Sequence, residues 1–247
     1  MLSKAEGIVI RSVDYGEGNK IITLYTREWG KIGAMARGAK KTKSRLSSVS
    51  QVLTHGIYLL HTGSQLGNIS QGEIISSFQE IRQDLTKTSY ALYYFELMDR
   101  LTEERERNTD LFELLLTTLQ YLSAGKDEEI LTRIFEVKIL QASGYQPRLE
   151  RCMKCQGNDL PMFFSITEGG ILCMACSRLD KDAVSLLPGT LKLLRLFQTI
   201  DVKRLGNISV SPQTKGQLDQ VLRRFMETHT GLQLKSRRFL DQLDRLR

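Results

Sequence analysis

Cys152-Met-Lys-Cys155 and Cys173-Met-Ala-Cys176 are separated by seventeen residues and together hold all four cysteines of the chain. Two CxxC knuckles at this separation can bring four thiolates to one ion. Zn²⁺ takes such a set tetrahedrally, with Zn–S near ~2.3 Å. A disulfide framework would need an oxidising compartment, which nothing else in the chain suggests. A thioredoxin-like redox pair would need a single CxxC opening a helix after a strand. The spacing therefore predicts one structural Zn²⁺ held by Cys152, Cys155, Cys173 and Cys176, with no open position for a reacting water. Gly157, Gly169 and Gly170 between the knuckles suit the turns of a zinc ribbon.

On both sides of this ribbon the pattern is helical. Upstream, Tyr90 to Leu101 is apolar on most faces, so it belongs at the centre of a bundle, and its aromatics Tyr90, Tyr93, Tyr94 and Phe95 read as core. Asp110 with Glu113 looks like a capping box opening a helix over Leu111 to Leu122. A third helix is expected from Asp127 to Ser143, stopped by Gly144 and Pro147. Downstream, Leu191 to Phe197 is amphipathic and Ser211-Pro212 opens a further helix that Gly231 ends. A last amphipathic segment begins near Ser236.

The first 78 residues read as strands instead. Gly7–Arg11, Lys20–Thr26 and Lys31–Ala36 are short, apolar and bounded by turn residues. Val52–His61 and Asn68–Phe78 form a further pair around Gly63-Ser64-Gln65-Leu66-Gly67. Five short strands fit a small closed barrel, with the five-stranded OB-fold the first choice and an SH3-like barrel the runner-up; periodicity alone does not separate them. The expected organisation is α+β and multidomain: a barrel over 1–79, then a helical domain over 80–247 with the ribbon inserted at 148–180.

The net charge of +7 is uneven. Residues 27–45 carry a local +6 and residues 192–247 another +7, around a middle of −6. Two basic regions flanking an acidic one point to a polyanion. The denser cluster lies between the third and fourth strands, where Arg37, Lys40, Lys41, Lys43 and Arg45 make five of nine residues basic. With Lys31 just upstream, these are the candidate contacts to a nucleic-acid backbone. The segment lacks helical spacing and reads as flexible. Phosphate contacts of this sort carry no base information.

Catalytic patterns are missing from the sequence. There is no GxxxxGK[ST] loop, and Gly16-Glu-Gly18 is a turn without a dinucleotide frame. His55, His61 and His229 accompany no HExxH or HxE–PCxxC arrangement. The N-terminus lacks the apolar core of a signal peptide, and no apolar run approaches a membrane span. A soluble, cytoplasmic, non-enzymatic protein is expected. Two other classes stay open: a zinc-dependent nucleic-acid enzyme, which a four-cysteine site disfavours, and a zinc-ribbon scaffold whose basic patches meet acidic proteins rather than DNA.

Several fragments in order resemble the bacterial RecO family of recombination mediators. They are Gly7-Ile-Val-Ile-Arg11, Asp14-Tyr-Gly-Glu17, Thr26-Arg-Glu-Trp-Gly-Lys31, Arg37-Gly-Ala-Lys-Lys41 with Lys43-Ser44, Tyr90 to Leu97, Leu111 to Leu115, Phe135 to Leu140, and Gly144-Tyr-Gln-Pro147 leading into the cysteines. The resemblance implies an N-terminal OB-fold, a helical domain and a zinc ribbon. It implies binding of single- and double-stranded DNA, annealing of complementary strands, and work with RecR to let RecA replace single-strand-binding protein in DNA repair and recombination. Lys40-Lys41 stand where arginines are also common in the family, which keeps the charge but removes bidentate phosphate forks. Some members lack the cysteine set.

Overall fold

The computed structural model describes residues 2–61, 66–206 and 208–245. The turn expected around 63–67 lies largely outside them. The chain divides into two compact units, Met1–Lys126 with Leu234–Arg247, and Asp127–Gln233.

The first unit begins with a closed barrel. Its strands are β1 (Leu2–Tyr15), β2 (Asn19–Thr26), β3 (Gly30–Ala36), β4 (His55–His61) and β5 (Gly67–Ser76). Their order around the barrel is β1-β2-β3-β5-β4, the OB-fold arrangement. Closure depends on β1, which runs well beyond the expected Gly7–Arg11. Its first half pairs with β4 (Leu2↔His61 to Ile8↔His55) and its second half with β2 (Gly7↔Thr26 to Tyr15↔Asn19), across a bulge between Val9 and Arg11. One extra residue bends a strand, so a single β1 can serve two neighbours. β3 and β5 seal the barrel in parallel at Ala34↔Gly67 and Met35↔Asn68. Alternation along the strands sends Ala5, Val9, Ile22, Leu24, Ile32, Ala34, Tyr58, Leu60 and Ile69 inward, with Trp29 packed against this core.

Four helices follow the barrel strands or lie among them: α1 (Leu46–Val49), α2 (Gln79–Arg82), α3 (Leu85–Leu101) and α4 (Thr109–Ser123). In α3, Tyr90, Tyr93, Tyr94 and Phe95 are all buried, as their spacing requires. The opening of α4 differs from the expected box at Asp110. Asn108 is the N-cap, its side chain accepting the Leu111 N–H at 3.0 Å. Asn places its amide oxygen over that donor at least as well as Asp, so the helix starts earlier. The C-terminal helix α9 (Lys235–Asp244) returns to α3. The Glu96 carboxylate of α3 accepts from the backbone N–H groups of Lys235 (3.1 Å) and Ser236 (2.8 Å). An anion is thereby placed at the positive end of α9 by a residue about 140 positions upstream.

The loop between α3 and α4 lies against the start of β3. Arg105 N donates to the Lys31 carbonyl at 2.8 Å. At Gly30 the backbone has φ +63°, and an added Cβ would stand 1.9 Å from the Glu106 carbonyl oxygen. Gly30→Ala therefore combines left-handed strain with a backbone collision, a loss of about 3 kcal/mol. Gly125→Ala is the control, because Gly125 has φ +75° and nothing within 4 Å. Urea unfolding should show a clearly larger loss for Gly30→Ala than for Gly125→Ala.

The second unit contains α5 (Glu128–Ala142), β6 (Met162–Ser165), β7 (Gly170–Cys173), α6 (Met174–Ser177), β8 (Val184–Ser185), α7 (Pro188–Thr199) and α8 (Pro212–Thr230). α5, α7 and α8 pack on one another. Arg133, buried in α5, forms ion pairs with Asp219 of α8 at 2.6 Å and with Glu136 at 2.9 Å. The ribbon sheet has three strands in the order β7-β6-β8, one more than a simple hairpin. It is fixed to α8, where His229 Nε2 donates to the Ile166 carbonyl at 2.7 Å and Phe225 meets Phe164 edge-on.

Candidate metal centre and nucleic-acid interface

The ribbon places its four sulfurs through backbone bonds on each knuckle. Cys152 N donates to the Gly157 carbonyl, Gln156 N to the Cys152 carbonyl, and Met153 N to Ile171 of β7. Gln156 takes φ +62°, so the first knuckle turns back on itself. Gly170 is needed here, since a Cβ would lie 2.6 Å from the Arg148 carbonyl oxygen. The second knuckle is the junction of β7 and α6, with Cys173 at the N-cap and Cys176 one turn on.

The four Sγ atoms lie within 4.8 Å of one another, and Cys155 Sγ is 3.6 Å from Cys173 Sγ. Four ligands at ~2.3 Å from one ion would sit ~3.8 Å apart at tetrahedral angles. The donor set thus fits a thiolate-loving ion. It does not fit disulfides, which need sulfurs at ~2.0 Å. All four cysteines are free. Burial pushes the Cys152 thiol up, but the backbone N–H groups of Cys155, Cys173 and Lys154 outweigh it and bring the group to about 6. Cys176 is pushed up to about 12, first by its hydrogen bond with Cys173 and then by burial. Four sulfurs at this distance cannot all carry charge without a cation between them.

On the barrel, Arg37, Lys40, Lys41, Lys43 and Arg45 are all exposed and share one segment between β3 and α1. The segment is a chain of tight turns, more ordered than its composition suggests. Lys41 N donates to Gly38 O and Ser44 N to Lys41 O. It is tied to the β1–β2 turn, with Gly38 N donating to Asn19 Oδ1 (2.9 Å) and Lys40 N to Gly18 O (3.1 Å). Ala39 is buried in the barrel core. Lys40 Nζ lies 2.9 Å from Asp14, and that hydrogen bond is the main reason the Asp14 carboxyl is held below its ordinary range.

Lys31 stands apart from this group. It is buried, and its Nζ donates to the Asp99 carbonyl at 2.5 Å with the Asp99 carboxylate 3.7 Å away. Arg27 is likewise engaged, by Glu6 and Glu113. Two cations outside the basic run lie on the same barrel, Lys20 beside that run and Arg11 further along β1 toward Asp99. Arg11 has a side chain 63% exposed, and Lys20 lies 3.9 Å from Asp14. Neither belongs to a run in the sequence; strand register alone puts them there. Among the described residues no helix is long and apolar enough to cross a membrane.

The family model described as recombination protein O, N terminal, matches residues 1–78, and its C-terminal counterpart matches residues 82–238. The DNA repair protein RecO of Halalkalibacterium halodurans is 50% identical over 244 residues, covering 99% of this chain and 96% of its own. Those of Bacillus mycoides and Bacillus cereus are 48% identical over 245 residues, covering 99% of both chains in each case. With both halves of the chain matched and the barrel, helices and cysteine cluster in place, the chain belongs to the RecO family of DNA repair proteins.

Proposed function

We propose that the protein is a non-enzymatic recombination mediator. It binds single- and double-stranded DNA, anneals complementary strands and, with RecR, helps RecA replace single-strand-binding protein on DNA in the cytoplasm, at the nucleoid. The observation carrying this reading is the exposed cationic segment Arg37, Lys40, Lys41, Lys43 and Arg45 on a five-stranded OB barrel. A positive track over such a barrel follows a nucleic-acid backbone without reading its bases. Lys31 serves the reading less directly, since its ammonium is committed to Asp99. The C-terminal helices, with Lys192, Arg204 and Arg224, offer further positive charge.

The metal in this reading is one structural Zn²⁺ held by Cys152, Cys155, Cys173 and Cys176. Its contribution is a cross-link between the two knuckles, because four sulfur ligands leave it no coordination site for water.

The test is an annealing assay with complementary oligonucleotides, with and without single-strand-binding protein. The protein should accelerate annealing, retain that ability on coated strands, and leave the DNA uncleaved. A protein that neither shifts a generic oligonucleotide nor speeds annealing would instead be a zinc-ribbon scaffold for acidic protein partners. Turnover of the DNA would place it among enzymes.

A further inference from the structure

Among the described residues, the outer face of β1, β2 and β3 is closely covered at one end and more exposed at the other. Ile22, Leu24, Ile32, Ala34 and Ala36 point into the core, so Ile21, Thr23, Tyr25, Lys31, Gly33 and Met35 belong to the outer side. At one end Tyr25 is fully buried, Lys31 is held by Asp99, and the 104–105 backbone runs alongside β3. Toward the β1–β2 turn the cover thins among the described residues: a Cβ on Gly33 would meet Leu66 at 3.2 Å, and Ile21 and Met35 are half-buried. Register places Val13, Ile21 and Met35 side by side on three adjacent strands, with Tyr15 opposite Asn19 in the next row. Val13 is 46% and Tyr15 54% exposed. Arg11, in register with Thr23, borders the strip on the covered side, its side chain 3.9 Å from Asp99. The hairpin tip borders it on the other side, where Asn19 and Gly18 hold the basic segment through Gly38 and Lys40. The carboxylate at that end, Asp14, is met by Lys20 and Lys40; Glu17 is exposed at the tip itself.

An aromatic and aliphatic strip between cationic borders matches one kind of ligand in both parts. The cations complement phosphates, while the apolar side chains and the Tyr15 ring offer surfaces to flat, unpaired bases. A duplex keeps its bases stacked inside and could use only the cations. We infer that Tyr15, flanked by Val13, Ile21 and Met35, is a base-contacting site for single-stranded DNA, and that it makes the protein prefer unpaired over paired strands. The inference rests on the DNA-binding reading above and adds to it the residue that distinguishes the two substrates.

The experiment compares binding to oligo-dT, to an abasic oligonucleotide of the same length and to a duplex of that length, by fluorescence anisotropy across a salt series. Tyr15→Ala should weaken oligo-dT binding about tenfold, the loss of one stacked base. Tyr15→Phe should keep wild-type affinity. Abasic and duplex binding should be unchanged in both variants, and so should the salt slope, because no phosphate contact is removed. Tyr15 is exposed at a hairpin end, so the variants should melt like wild type, and a melting curve checks this. Equal losses on all three ligands would overturn the inference, as would wild-type oligo-dT binding in Tyr15→Ala. Wild-type protein that binds none of the ligands would overturn the DNA-binding reading itself, a result distinct from either of these.

Discussion

Cys152→Ala should lose the metal and dissolve the ribbon, while the barrel stays folded. Cys152 is fully buried, and its sulfur collects the N–H groups of Cys155, Cys173 and Lys154. With one ligand gone, the remaining three leave an open position and a weaker site. Structural four-ligand zinc sites bind with about 10–16 kcal/mol near neutral pH, as large as the whole stability of an ordinary domain. The sheet β7-β6-β8 has few residues per strand, four in β6 and β7 and two in β8, so it has little else to hold it. Metal analysis should give about one zinc per chain for wild type and none for Cys152→Ala. Amide exchange should rise across residues 148–185 and stay unchanged in β1–β5. Because a buried cysteine matters for packing as well, cobalt substitution supplies a second reading. Wild type should show the intense sulfur-to-cobalt charge-transfer band of a four-thiolate site. Wild type purified without metal, and without that band after cobalt addition, would rule out the metal.

Replacing Arg37, Lys41 and Lys43 together by Glu should weaken single-strand binding about a hundredfold at low salt, with the melting temperature nearly unchanged. All three are exposed. Lys40 is left in place because it pairs with Asp14 and its backbone N–H ties the segment to Gly18. Each lost phosphate contact reduces the salt slope of single-strand affinity by roughly 0.7 log units per log unit of salt, so three should flatten it by about 2. The loss should be alike on every base sequence, in contrast to Tyr15→Ala, whose effect depends on bases being present. Some affinity should survive through the basic C-terminal helices. An unchanged slope in a folded variant would move the main DNA contact to the region of Lys192 to Arg204 and Arg223-Arg224.

Much of this protein is written in short-range order. The cysteine spacing predicts a cluster because each CxxC knuckle closes on itself, and bringing two knuckles together takes only a hairpin. The helices announce themselves by apolar spacing, and the aromatics of α3 are buried as that spacing demands. The density of Lys and Arg over 37–45 likewise survives as an exposed cationic segment. What pairs across long separations was not legible. Nothing local says that β1 begins at Leu2 and serves both β2 and β4, because its outer residues are strand only by virtue of their partners. Lys31 counts as one more positive charge in the sequence, yet its ammonium is spent on Asp99, 68 residues away. Tyr15 and Tyr25 are equivalent in composition, while packing buries one and leaves the other open. Charge and side-chain type belong to the sequence; solvation belongs to the fold, since it depends on which distant segment covers each side chain.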